Sequence, residues 1–183
     1  MNNNFSITRL EYIDVSAFDE ESFLHRDARI MDKFSKLAVT LARKLFIKAG
    51  ADEFLPERLG VVLATATGPY LSVRALNREI SENGYISVNP SKFPNIMLST
   101  PLSRVTTAIK ARGPSAAMYI VKRANEALKY CVTQIQSGRC DGFLVLYIDE
   151  DVRCFGVFIE ADESALNRGM KLRCSFSAKD LFK

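Results

Sequence analysis

One histidine, His25, and four cysteines, Cys131, Cys140, Cys154 and Cys174, bound the chemistry open to this chain. A mechanism that needs two histidines is closed to these residues alone. A Ser-His-Asp relay would have to set His25 beside Ser22 or Ser35, and neither serine stands in a nucleophile elbow. The cysteines form no Cys-x-x-Cys pair, and His25 lies over a hundred positions upstream of them, so zinc-ligand spacing is missing. Free thiols, buried or half-buried in a reducing compartment, are the expectation. Thr65-Ala-Thr-Gly-Pro69 follows an apolar run but lacks the glycines and the lysine of a phosphate-binding loop. No metal and no cofactor is implied.

The elements that must position these residues are outlined by hydrophobic patterning. Ser6–Val15 alternates around Ile7, Tyr12 and Val15 and predicts a strand, and Phe18–Leu24 predicts a helical turn. Met31, Phe34, Leu37, Ala38, Leu41 and Leu45 recur at spacings of three and four, which predicts a helix over Ala28–Ala49 closed by Gly50. Arg58–Ala66 is a short apolar run suited to a strand buried on both faces. Pro69–Asn83 predicts a helix ended by Gly84, and Asn89–Pro94 a loop. Asn95–Ala111 predicts a helix kinked at Pro101. After the Arg112-Gly113-Pro114 turn, Ser115–Val121 predicts a strand and Lys122–Ser137 a helix. That helix is apolar along Ala124, Ala127, Leu128, Cys131, Val132 and Ile135. It is polar along Lys122, Arg123, Glu126, Lys129, Thr133 and Gln136. Asp141–Asp149 and Arg153–Ala161 form a hairpin around an acidic turn at Asp149–Asp151.

Strands separated by helices, with a hairpin last, predict an α/β fold. The expected sheet is mixed and five-stranded, with helices on both faces and an antiparallel last strand. The 183 residues are 48% hydrophobic and 25% charged, which is globular composition and predicts one domain over 1–183, with its core about 6–176. A net charge of +4, with no recognised module, argues against nucleic acid. No apolar run approaches the roughly 20 residues of a membrane span, and no export signal opens the chain, so a cytoplasmic protein is expected.

Four segments carry a family resemblance. Arg29-Ile-Met-Asp-Lys-Phe-Ser-Lys-Leu-Ala38 resembles the opening helix of the β-ketoacyl synthases, and Pro56-Glu-Arg-Leu-Gly-Val-Val-Leu-Ala-Thr65 their second strand. Ser87-Val-Asn-Pro90, Phe93-Pro-Asn-Ile-Met-Leu98 and Ala108-Ile-Lys-Ala-Arg-Gly-Pro-Ser115 resemble the loop and helix leading to their Arg-Gly-Pro turn. Gly156-Val-Phe-Ile-Glu160 with Ala165-Leu-Asn-Arg-Gly-Met170 resembles their return strand. The resemblance covers roughly residues 28–170. It implies one thiolase-like βαβαβαββ unit, the first of the two that family members carry.

The departures bear on function. In the family the strand after Arg-Gly-Pro runs into a nucleophilic cysteine at a helix N-terminus, where the thiolate is favoured. The matching stretch here, Tyr119-Ile-Val-Lys-Arg-Ala124, has no cysteine, and the family's two histidines belong to its second half. The resemblance therefore implies a non-catalytic, chain-length-factor-like subunit of a type II polyketide, aryl polyene or fatty-acid-like system. Its partner would be a full-length β-ketoacyl synthase in a heterodimer, with an acyl carrier protein engaged indirectly. The alternative is a self-assembling structural or carrier-binding module, for which Lys33, Lys36, Arg43 and Lys44 offer a basic face.

Carried over by position, Phe93, Ile96, Met97, Leu98 and Ser99, with Met118 nearby, are expected to gate the acyl tunnel. Arg112, Gly113, Pro114, Ser115, Ala116, Ala117, Tyr119, Ile120 and Val121 are expected to form the partner interface.

Overall fold

The computed structural model describes residues 4–120 and 125–181. A six-stranded mixed sheet forms its centre, in the order β3 (Ser115–Tyr119), β2 (Leu59–Thr65), β4 (Gly142–Asp149), β5 (Arg153–Ala161), β1 (Asn4–Ile13) and β6 (Cys174–Ser177). β2 pairs in parallel with β3 and β4, and β5 folds back antiparallel on β4. β1 runs antiparallel along β5, with a register irregularity between Ile7 and Arg9. The sixth strand corrects the expected five. β6 adds antiparallel to the outer edge of β1. Four residues with two serines carry no strand signature of their own, and the open hydrogen-bonding row of β1 organises them.

β2 is buried along its whole length and β4 almost so, as strands covered on both faces must be. Alternation sorts their side chains into two cores. Val61, Leu63, Leu144, Leu146 and Phe158 face α1 (Lys33–Lys48) and α3 (Ser99–Ile109). Val62, Ala64, Phe143, Val145 and Ile159 face α4 (Asn125–Gln136) and the short helix Ala178–Leu181. On α4, Ala127, Cys131 and Val132 are buried, while Glu126, Thr133 and Gln136 are exposed, which is the expected division of its faces. Lys122, Arg123 and Ala124 lie outside the described residues.

Several boundaries differ from the patterning, each for a local reason. The helix predicted from Ala28 starts at Lys33, because Asp32 caps it by accepting the Ser35 N–H at 3.1 Å; Ala28–Ile30 is a separate 3-10 turn. Gly50 ends α1 in the left-handed region, as expected. Phe18–Leu24 forms bends and turns rather than a helical turn. α3 begins at Ser99 after a 3-10 stretch, Pro90–Ile96. Pro101 therefore stands in the first turn, where its missing N–H has no intrahelical partner to lose, and the expected kink has no cause. α2 (Tyr70–Asn83) matches its prediction but buries a single side chain, Leu76.

Candidate functional site: the β3 edge and the adjoining loops

β3 is the last strand on its side of the sheet, paired with β2 along one edge only. Its approach is set by the Arg112-Gly113-Pro114 turn. The Gly113 N–H donates to Leu59 O at 3.1 Å, the Pro114 carbonyl accepts from the Val61 N–H at 3.1 Å, and Arg112 N–H donates to Pro56 O at 2.8 Å. A Cβ on Gly113 would stand 2.5 Å from the Leu59 carbonyl oxygen, so glycine lets the two strands come together here. Arg112 is exposed and reaches Glu57 at 3.4 Å. Along β3, Ser115 and Tyr119 are exposed and Ala116, Ala117 and Met118 half-buried, followed by half-buried Ile120. Val121, the last residue of the expected interface, lies outside the described residues.

The C-terminal ends of β2, β3 and β4 meet in a loop cluster built on Asp149, the place where open α/β sheets present functional groups. Asp149 Oδ1 accepts from the Ala66 N–H at 2.8 Å, the Thr65 hydroxyl at 3.1 Å and the Thr67 N–H at 3.3 Å, and Oδ2 accepts from Arg153 Nε at 3.0 Å. Burial pushes its carboxyl up, but these donors and the Arg153 charge outweigh that and hold it below the usual carboxylate range. The Ile120 N–H donates to Thr65 O at 2.8 Å, tying the end of β3 to the same loop. Gly68 has a positive φ of 66°, and a Cβ there would stand 2.6 Å from the Tyr119 hydroxyl. The exposed Tyr119 ring thus lies over the loop because residue 68 has no side chain. Sequence reasoning did not find Asp149 as the organiser of this loop; its only signal was an acid at the end of an apolar strand.

The expected gate residues separate into two groups. Phe93 and Met97 are 46% and 55% exposed, Ser99 is exposed, and Ile96 is half-buried, all at the junction of the 3-10 stretch with α3. Leu98 packs against the core shared by α1 and α3, whereas Met118 packs against the core on the α4 face. The sheet separates those two side chains. The junction is pinned by Arg104, which donates to Asn95 Oδ1 at 2.9 Å and to the Ser35 hydroxyl at 2.8 Å. The segment leading to it exposes Tyr70, Val73, Tyr85 and Ile86 as well as Phe93 and Met97, interspersed with charged residues such as Arg74, Arg78 and Lys92.

The thiols lie apart from this region or deep in the cores. Burial raises the Cys131 thiol well above its ordinary value and pushes Cys140 and Cys154 up to about 12. A thiol so placed is not a nucleophile at neutral pH. Cys174 is exposed on β6, at the opposite edge of the sheet from β3. His25 accepts the Asp27 N–H at 3.1 Å and stacks on Phe23 in the loop before α1. Neither Ser22 nor Ser35 bonds to it among the described residues: Ser22 donates to Asp19 O, and the Ser35 hydroxyl receives Arg104. The proposed basic face is partly consumed within the chain. Lys36 pairs with Glu20 at 3.2 Å, Lys44 with Glu11 at 3.4 Å, and Arg43 donates to Leu24 O. No helix among the described residues is long and apolar enough to cross a membrane, and they hold no group of three or more His, Cys, Asp or Glu side chains arranged for a metal.

A parallel β2–β3–β4 core, an antiparallel return strand and an Arg-Gly-Pro turn feeding an edge strand define a ketosynthase-type half-fold. The chain belongs to the β-ketoacyl synthase family: residues 6–146 match the model of its N-terminal domain. Nodulation protein E of a Rhizobium strain is 28% identical over 134 residues, which are 72% of this chain and 33% of that protein. The chain thus spans about a third of the length of the curated relative it matches. Among solved structures, a type II polyketide acyl-carrier protein in complex with its ketosynthase bound to the hexaketide superposes with a TM-score of 0.77. The identity is 12%, over 96% of this chain and 67% of that one. The ishigamide ketosynthase/chain length factor gives 0.75 at 14% identity, over 96% and 62%. A β-ketoacyl synthase from Burkholderia phymatum gives 0.64 at 14%, over 87% and 50%. At these identities the likeness is one of fold.

Proposed function

We propose that the chain is a chain-length-factor-like subunit without condensing activity. It pairs with a full-length β-ketoacyl synthase and shapes that enzyme's acyl or polyene tunnel. The observation that carries this reading is the open edge of β3, with its exposed Tyr119, and the absence of a cysteine from Tyr119–Ala124, the stretch that matches the family's nucleophile position. An unpaired edge strand is a liability unless another strand completes it. Edge pairing through Ser115, Ala116, Ala117, Met118 and Tyr119 would supply main-chain hydrogen bonds. The Arg112–Pro114 turn and Ile120–Val121 would lie at the two ends of the seam. Phe93, Ile96 and Met97 would then bound the partner's tunnel by excluded volume, with Leu98 and Ser99 behind them and Met118 acting from the other face of the sheet. A condensation needs a thiolate to hold the acyl chain and donors to stabilise the enolate, and the partner would supply both. The setting is a type II polyketide, aryl polyene or fatty-acid-like pathway, with the carrier protein delivered to the heterodimer.

Co-expression with a full-length, cysteine-bearing ketosynthase followed by native mass spectrometry tests the pairing. A one-to-one complex is expected. A chain that stays monomeric in the presence of such partners refutes it, and a homodimer that excludes them supports a self-assembling module instead. In a reconstituted pair, Met97→Ala is expected to lengthen the products or broaden their distribution, and unchanged product length removes Met97 from the gate.

A further inference from the structure

The acidic turn between β4 and β5 contains a buried carboxylate that the proposed pairing does not use. Glu150 is 2% exposed. Its Oε1 accepts the Leu71 N–H at 2.9 Å in the first turn of α2, and its Oε2 is buried without a hydrogen-bond partner. A second carboxylate reaches the same turn: Asp32, the cap of α1, accepts from the Ser72 hydroxyl at 2.8 Å. These two side chains moor α2 to the end of the sheet. α2 itself contributes nothing to either core. Its buried Leu76, and Val88 beyond it, stand outside both clusters, and α2 packs mainly on the 3-10 segments Tyr85–Ser87 and Pro90–Ile96. At the far end, Asn95 is fixed by Arg104 and donates to Ile30 O at 2.9 Å. Residues 70–94 are thus an arm with few apolar contacts to the body, held at its start by Glu150 and Asp32 and pinned at its end by Asn95.

We propose that Glu150 is a proton-operated latch, holding the α2 arm against the sheet while protonated and releasing it when ionised. The charged groups around it set the direction. From the start of α1 it faces Asp32 and Lys33, and from its own turn Asp151; the first turn of α2 brings backbone N–H but no charged side chain. Burial first, then Asp32 and Asp151, oppose ionisation, and the Leu71 N–H and Lys33 offset them only in part, so that the carboxyl is pushed up to about 7. In a released arm Glu150 meets water and returns toward the ordinary carboxylate range. The proton is then bound more tightly in the latched state, and a rise in pH through neutrality favours release. The inference concerns the free chain and holds whether or not it pairs with a ketosynthase.

Hydrogen exchange of the whole chain, read by mass spectrometry and divided by the intrinsic rate at each pH, tests the latch. Protection of peptides within residues 70–94 is expected to fall about ten-fold between about pH 6 and about pH 8, while peptides of β4 stay protected. Glu150→Gln keeps an acceptor for Leu71 without the charge and is expected to make the profile flat. Asp151→Asn, at an exposed position, removes one like charge and is expected to move the midpoint to lower pH. Arm protection that does not change with pH in the wild-type chain overturns the proposal. So does a Glu150→Gln arm that follows the wild-type profile, or loss of protection spread equally over β4.

Discussion

Replacing Arg168 by methionine would strip a buried acid of its counter-charge. Glu160, on β5, is fully buried, and Arg168 Nη1 donates to both of its oxygens at 2.9 and 3.0 Å. Nη2 of the same guanidinium donates to the Ala49 and Gly50 carbonyls at 2.6 and 2.7 Å, closing the C-terminus of α1, and the group stacks on Phe54 at 4.4 Å. In the variant, Glu160 keeps the Thr8 and Ser164 hydroxyls, at 3.0 and 2.9 Å, but no cation. Removing one partner of a buried pair costs about 3–5 kcal/mol, because the other charge is left uncompensated. The exposed contact from Nε to Glu53 adds at most about 1 kcal/mol. Against a total stability of roughly 5–15 kcal/mol this is a severe loss. With a urea slope near 2 kcal/mol/M, the unfolding midpoint falls by about 2 M. The control is the Glu160→Gln, Arg168→Met double variant, which removes the orphaned charge and is expected to be more stable than Arg168→Met alone. A midpoint shift below about 0.5 M, or a double variant equal to the sum of the singles, refutes the account.

Two further outcomes follow from the same geometry. Asp149→Ala leaves the Ala66 N–H without its acceptor and the Thr67 N–H with the Thr65 hydroxyl alone, at 3.3 Å, and is expected to cost about 1–3 kcal/mol, with faster exchange confined at first to the 65–69 loop. Because the Asp149 carboxyl lies below its ordinary value in the fold, its contribution is present above that value and lost as pH falls through the lowered one. The variant's acid denaturation curve is therefore expected to be shallower at its foot than that of the wild type. Thiol labelling of the native chain is expected to modify Cys174 rapidly and Cys131, Cys140 and Cys154 only after unfolding, read as one fast equivalent followed by three in denaturant. Rapid labelling of Cys131 would contradict the packing of α4 on the sheet.

Local chemistry made part of the fold legible. The stripe on α1 and the glycine at its end are read within a few turns of chain, and the whole-length burial of β2 and β4 announces itself as an apolar run. The Arg-Gly-Pro turn was equally readable, since Gly113 answers a close approach that few other residues tolerate. What failed to show were pairings between distant segments. β6 has too little pattern to declare itself and exists because β1 offers an open edge. The lysines of α1 look like a free basic face in the sequence, yet Glu11 and Glu20 come from the segment before the helix to meet Lys44, Lys48 and Lys36. Met118 and Leu98 looked like neighbours, but strand alternation puts them on opposite faces of the sheet.

The amino-acid sequence by itself determined the family, the order of the first five strands and of the helices between them, and the lack of a cysteine in the stretch after β3. Those properties depend on residue types and short-range periodicity. Only the tertiary structure decided that β3 ends the sheet and that Asp149 gathers the loop beside it. It alone showed that α2 stands apart from both cores, moored by Glu150 and Asp32. The physical reason is that burial and hydrogen bonding join groups some forty to eighty positions apart. A carboxylate acquires its partners, and its affinity for a proton, from what the fold brings to it.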